Sequence, residues 1–134
     1  MSNILTLEKG KTLSETLAPV SRMDLIKYSG ASGDFNPIHT VDEEAKKTGL
    51  PGIIAHGMWT MGNLAKLFTP YYEEGFIKDY RIRFSGMVFI DDVIKLVATV
   101  TAEEEQEIAF EVKAVNQAGK AVLKGDVTFV KTNG

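Results

Sequence analysis

The sequence predicts an α+β protein, on three observations. From Tyr80 onward apolar residues recur at every second position. Before that point they recur at helical spacing, and the last of these helical runs is apolar enough to cover one face of a sheet. At 134 residues the chain has the length of one domain, 1–134, able to bury roughly two-thirds of its unfolded surface.

A short alternating segment, Leu13, Glu15 and Leu17, comes first. At Val20-Ser21-Arg22-Met23-Asp24-Leu25 a helix starts: Ser21 caps, Asp24 stands at the third helical position, and Val20 can staple onto Leu25. This helix should run to about Tyr28, before Gly30 and Gly33. Thr40-Val41-Asp42-Glu43 offers a second capping box, for a short helix ending at Lys46, Lys47 and Gly49 with acids first and bases last. A third helix should begin near Gly57 and stop before Pro70. Its stripe is Met58, Met61, Leu64, Ala65 and Phe68, widened by Trp59.

The strands follow. Tyr80, Ile82 and Phe84 alternate with Arg81, Arg83 and Ser85. Ile94, Leu96, Ala98 and Val100 form one face of the next strand, and Ile108, Phe110, Val112 and Ala114 one face of another. Ala121, Leu123, Gly125, Val127 and Phe129 complete an antiparallel meander. Glu103-Glu104-Glu105 and Asn116-Gln117-Ala118-Gly119 are its turns.

Composition narrows the function. Hydrophobic residues make up 44% and charged residues 25%, as in ordinary globular proteins. A net charge of −3 with no basic run argues against a nucleic-acid partner. No cysteine is available for disulfides or thiolate chemistry. Met1 to Thr12 is polar without the apolar core of a leader, and no window reaches membrane-spanning length, so a cytoplasmic protein with no membrane partner is expected.

The chemistry concentrates in Ser32-Gly33-Asp34-Phe35-Asn36-Pro37-Ile38-His39 and Ala55-His56-Gly57-Met58, which together hold both histidines. On a helix, residues five apart point about 140° away from each other, so Asp34 and His39 would not meet. Pro37 fixes its own φ, removes a donor and pushes Asn36 into extended backbone, giving a tight non-helical loop that can aim two side chains at one point. A Gly-Asp-x-Asn aspartate alone is more often a turn-former. Combined with an imidazole suited to moving protons near neutral pH, it becomes an acid/base pair.

His56 reads as a helix cap or as the partner of a buried backbone group. Gly57 has two equal readings: close packing, or a backbone N–H at a helix start facing an oxygen that gains negative charge. The methionines and Trp59 read as core, although those nearest the helix start could line an apolar substrate pocket. Asp34-x-Asn36 fails as a calcium loop because Pro37 and Ile38 follow. Two histidines seventeen residues apart without a cysteine make a poor zinc set, so no metal and no tightly bound cofactor are expected.

Ala31 to His39, then Ala45, Gly49-Leu50-Pro51 and Ile54-Ala55-His56-Gly57-Met58, together with Tyr80 to Phe84 and the strand opening after Val88, resemble the signature of the MaoC-like, (R)-specific enoyl-CoA hydratase family. Gly49 to Gly62 and the short length are most similar to its single-hotdog dehydratases, which act on 3-hydroxyacyl-carrier-protein substrates. The resemblance implies a hotdog fold, a curved antiparallel sheet wrapped around one long central helix. It also implies pairing of two units edge to edge, with the active site at their interface. It carries the catalytic roles onto Asp34, His39 and the Gly57 N–H. Asn36, Ala55, His56, Met58 and Trp59 become the substrate-binding residues, with Asn36 holding the loop.

The implied reaction is reversible hydration of a trans-2-enoyl thioester, on coenzyme A or an acyl carrier protein, to the (R)-3-hydroxyacyl thioester. Which of Asp34 and His39 delivers the C2 proton stays open, because either group of such a pair can carry it. Arg81 and Arg83 could meet coenzyme A phosphates, and a solvated strand face explains them equally well. The alternative is a non-catalytic or substrate-holding subunit of a heteromeric dehydratase. The partner would then be a second hotdog chain rather than another copy in a homodimer or higher homo-oligomer. Two positions depart from the family pattern: Val41 replaces an acid usual two positions after the histidine, and Asp91-Asp92 replaces Gly-Asp.

Overall fold

A computed structural model of the protein describes residues 7–132. Part of the polar N-terminal stretch, residues 1–6, lies outside the described residues. Five antiparallel strands form one sheet: β1 Thr12–Thr16, β2 Gly75–Phe84, β3 Lys95–Glu103, β4 Glu107–Val115 and β5 Ala121–Lys131, in the order β1-β3-β4-β5-β2. The alternating faces end up where their period places them. Leu96, Ala98 and Val100 on β3, Ile108, Phe110, Val112 and Ala114 on β4, and Leu123, Val127 and Phe129 on β5 are all buried, with Ile94 just ahead of β3. Register shifts at Ile77/Asp79, Val100/Ala102 and Ala114/Val115 coil the sheet, because each bulge adds local twist.

The central helix lies in the concave face of this sheet. It begins as α3, Gly57–Ala65, and continues as a 3₁₀ segment, Lys66–Tyr71. The α-helix stops before Pro70 as expected, but the chain keeps turning, because a tighter 3₁₀ path takes over at Lys66 and carries Pro70 inside it. The buried stripe also turns relative to the expected one. Thr60, Leu64, Leu67, Phe68 and Tyr71 face the sheet, whereas Met58 is exposed and Met61, Trp59 and Ala65 are only half-buried. Phe68 meets Phe110 edge to face at 4.9 Å, a contact worth about 1 kcal/mol beyond its burial. The Tyr80 hydroxyl donates to the Met61 carbonyl and ties β2 to the helix. One helix held in a coiled antiparallel sheet is the hotdog arrangement.

Between β1 and α3 lie the two shorter helices, α1 Arg22–Ser32 and α2 Asp42–Lys47. The α1 capping box forms as predicted: Asp24 N–H donates to Ser21 Oγ, and Ser21 N–H to Asp24 Oδ2. The helix outlasts its predicted end at Tyr28, running through Gly30 and stopping only at Gly33. There φ is +77° and the N–H bonds back to the Ser29 carbonyl, a left-handed cap that glycine adopts without strain. The second predicted capping box is absent. Thr40 and Val41 both donate their N–H groups to the Pro37 carbonyl, closing the preceding turn, so Val41 becomes the N-cap and no side chain caps α2.

In the strands, β2 begins at Gly75 rather than Tyr80, and the first hairpin turn falls one residue later than expected, at Glu104 to Gln106. Asp91 takes φ +71°, the left-handed region, at the position where the family pattern has glycine. Asp92 is buried, with Oδ2 accepting from the Phe89 N–H and Oδ1 from the Gln117 side chain. No helix among the described residues is long and apolar enough to cross a membrane.

Candidate functional site

The loop after α1 is built from its own short polar side chains. Ser32 Oγ accepts from the Asp34 N–H, Asp34 Oδ1 from the Asn36 N–H, and Asn36 Oδ1 from the Ile38 N–H. The last of these caps a single 3₁₀ turn, Pro37–His39, which Pro37 starts because its φ is already set. Asn36 thus has the loop-holding place expected of it. The turn then docks on the segment before α3. Ile54 N–H donates to the Ile38 carbonyl, Ala55 N–H to the Val88 carbonyl, and Ile54 forms an isolated bridge with Phe89.

This docking fixes the chemistry of His39. Its Nδ1 lies 2.7 Å from the Ile54 carbonyl oxygen, which can only accept, so Nδ1 carries a proton and, in the neutral ring, Nε2 is the bare base. Nε2 sits 4.0 Å from Asp34 Oδ2. That is too long for a direct hydrogen bond and suited to a shared third atom. His39 is buried to 8% exposure, while the Asp34 side chain is 53% exposed: a buried base beside a carboxylate open to solvent.

His56 is 3% exposed and serves as the α3 N-cap residue without a side-chain cap bond. Its Nε2 lies 3.0 Å from the Asp34 carbonyl oxygen and 3.2 Å from Ser29 Oγ, and its ring stacks on His39 at 3.8 Å and 20°. Tyr28 closes the other side, edge to face at 4.8 Å. His56 therefore partners a backbone carbonyl, as one of the two expectations for it had it, although that carbonyl belongs to an exposed residue and is only partly buried. Asp34, His39 and His56 offer polar atoms within 4.8 Å of one another. Stacked imidazoles aim their in-plane lone pairs side by side rather than at one point, so the trio does not fit the tetrahedral demand of zinc.

Gly57 opens α3, where the first N–H groups have no intrahelical acceptor. Phe84 lies over it, and a Cβ built on Gly57 would come within 3.0 Å of the ring. His39, Ala55, His56 and Gly57, together with Phe84, Met87, Val88 and Val122, line a cavity of about 170 Å³. Met58 and Trp59 stand outside it; Trp59 lines a separate groove with Tyr28 on α1. Arg81 and Arg83 lie on the outer sheet face beside Lys124, Glu111 and Asp126.

Sequence reasoning missed Ser29, Ile54 and Phe84. Ser29 repeats the buried face of Leu25 one helical turn on, a signal that could have been read. Ile54 acts through its carbonyl, for which no side-chain pattern exists.

Asp42 supports this assembly from beneath. Its Oδ1 accepts from the Ile53 N–H at 3.0 Å and its Oδ2 from Arg22 at 2.7 Å, joining α1, α2 and the segment leading to His56. It stands next to Val41, where the family acid is missing. The backbone hydrogen bond from Ile53, and then Arg22, hold its carboxyl below the ordinary value of 3.8. A carboxyl lowered on folding contributes stability that is fully present above its unfolded pKa and is lost as pH falls through the folded one. Asp42→Asn should therefore lower Tm at about pH 7, and the gap to the parent should narrow as pH falls below the ordinary carboxylate range, as a thermal-melt series would record.

The profile of the MaoC-like domain matches residues 6–123. The chain is 32% identical over 113 residues to an (R)-specific enoyl-CoA hydratase of Rhodospirillum rubrum, covering 81% of this chain and 78% of that one. It is 26% identical over 132 residues to a mitochondrial 3-hydroxyacyl-[acyl-carrier-protein] dehydratase of Arabidopsis thaliana, covering 95% and 79%. It spans only 7% of the peroxisomal hydratase-dehydrogenase-epimerase of Saccharomyces cerevisiae. Among solved structures, the unliganded R-hydratase PhaJ1 of Pseudomonas aeruginosa superposes with a TM-score of 0.81 at 25% identity, over 95% of this chain and 83% of that one. The ChsH1-ChsH2 complex of Mycobacterium tuberculosis gives 0.81 at 18% identity over 92% and 97%, a likeness of fold alone.

Proposed function

The chain belongs to the MaoC-like domain family, and from that premise we propose that Asp34, His39 and the Gly57 N–H interconvert trans-2-enoyl and (3R)-hydroxyacyl thioesters. The observation that carries the reading is the bare Nε2 of His39, 4.0 Å from a solvent-open carboxylate oxygen and beside a helix start. A water about 2.8 Å from both atoms would see them about 90° apart, not far from tetrahedral, and both could hold it at once. The water oxygen attacks C3 as its proton passes to His39 Nε2. The electron pair moves from the C2–C3 double bond into the thioester, and its carbonyl oxygen becomes an enolate oxygen facing the Gly57 N–H. The Asp34–His39 pair returns one proton to C2, so it ends the cycle as it began.

A cavity of about 170 Å³ has room for a fragment of about six carbons, which suits the reacting end of the substrate rather than a long chain. The single domain pairs with a second hotdog unit along β2, whose free edge carries exposed Phe76 and Phe84. The substrate is a thioester of coenzyme A or of an acyl carrier protein.

The test is loss of the conjugated-enoyl absorbance of crotonyl-CoA on adding the purified protein, with the product assigned by (R)- and (S)-specific 3-hydroxyacyl dehydrogenases. Turnover to the (R) product is expected. No turnover by folded protein on crotonyl-CoA, longer acyl-CoAs or carrier-protein thioesters would instead favour a substrate-holding subunit.

A further inference from the structure

We propose that His56 is a positioning residue for the reaction: its Nε2–H grips the Asp34 peptide while its ring forms the platform beneath His39. This rests on the reading of Asp34 and His39 as the reacting pair. The Asp34 carbonyl can only accept, so the 3.0 Å contact requires the proton on His56 Nε2. Ser29 Oγ, at 3.2 Å, accepts a second branch of the same bond. The other nitrogen, Nδ1, is buried with no partner among the described residues, and a proton placed there would find no acceptor among them.

The two stacked histidines are therefore held as opposite tautomers by two backbone carbonyls. Ile54 takes the Nδ1 proton of His39, and Asp34 takes the Nε2 proton of His56. The consequence for the site is geometric. Asp34 lies on an exposed loop, and its peptide is held from the buried side by His56; its side chain then has only to turn toward His39. With the ring plane of His39 set by the stack, both reacting atoms are aimed by one buried residue.

Three substitutions separate donor from ring. Glutamine can place its amide nitrogen where Nε2 stood, asparagine reaches only the Nδ1 position, and phenylalanine keeps the stack without a donor. His56→Phe and His56→Asn should each lose about 10²-fold in kcat with KM unchanged, since misplacement by about 1 Å costs that much. His56→Gln should recover most of the loss. A purely structural role would instead rank the variants by thermal stability, and His56→Phe would keep wild-type kcat in whatever fraction folds.

The second measurement needs no turnover. The chain has two histidines, so ¹⁵N NMR of the imidazoles should give one Nδ1–H ring, lost in His39→Asn, and one Nε2–H ring that remains. Two rings of the same tautomer would overturn the proposal, as would full kcat in folded His56→Phe. Should the wild-type protein prove inactive on every thioester, the reading of the reaction fails while the tautomer pattern still tests the brace.

Discussion

His39→Asn is expected to reduce hydration of crotonyl-CoA by about 10²–10⁴-fold while leaving Tm nearly unchanged. The asparagine side-chain amide overlays the Nδ1 side of the ring, so it can still donate to the Ile54 carbonyl and keep the 3₁₀ turn docked on the segment before α3. What disappears is Nε2, the atom facing the Asp34 carboxylate. The matched change, Asp34→Asn, keeps the oxygen that accepts from the Asn36 N–H and removes only the charge. A loss of 10²–10⁴ amounts to about 3–5 kcal/mol of transition-state stabilisation, whereas the bond that each variant preserves is worth about 1 kcal/mol to the fold. Activity and stability should therefore separate cleanly. The double variant should be no worse than the poorer single one, because the two groups handle the same proton. Steady-state kinetics beside thermal melts decides it: a His39→Asn enzyme with more than about a tenth of wild-type kcat would remove this histidine from proton transfer.

The loop that brings Asp34 and His39 together is largely legible in the sequence. Proline between an aspartate and a histidine five apart excludes a helix, and the 3₁₀ turn that forms is the tight loop this spacing demands. The β3 and β4 faces were legible for a simpler reason, since strict alternation leaves a half-buried strand as the only economical fate. Boundaries failed where two local signals competed. Gly30 looked like a stop, but a glycine inside a helix costs only about 1 kcal/mol, and Gly33 three residues later offers a proper left-handed cap. Thr40 looked like a cap, but its N–H was already committed to Pro37. The stacking of His56 on His39 had no local signature at all. It depends on α1, the loop and the α3 start converging, through Ser29 and the Asp34 and Ile54 carbonyls.

Gly125→Ala should be, with Gly75→Ala, among the most disruptive single methyls at the described glycines. Gly125 lies in β5 with strands on both sides, opposite Val112 of β4 and Ile82 of β2. A Cβ there would stand 1.9 Å from the Arg81 carbonyl oxygen and 2.8 Å from Ile82 Cδ1. The first of these atoms is backbone inside a ladder and cannot rotate away, so β2 must separate from β5. The expected loss is about 3 kcal/mol or more, roughly 10 °C in Tm. Gly62→Ala is the control: no atom of the described residues lies within 4 Å of that Cβ, the residue is helical, and the same methyl should stabilise by up to about 1 kcal/mol. The damage at Gly125 should reach the site as well, because β2 carries Phe84 over Gly57 and Tyr80 onto the helix. Denaturant unfolding of the two variants would read both effects. An unchanged midpoint for Gly125→Ala would mean that β2 can shift away from β5 at little cost, and the edge proposed to meet a second unit would then be loose rather than set.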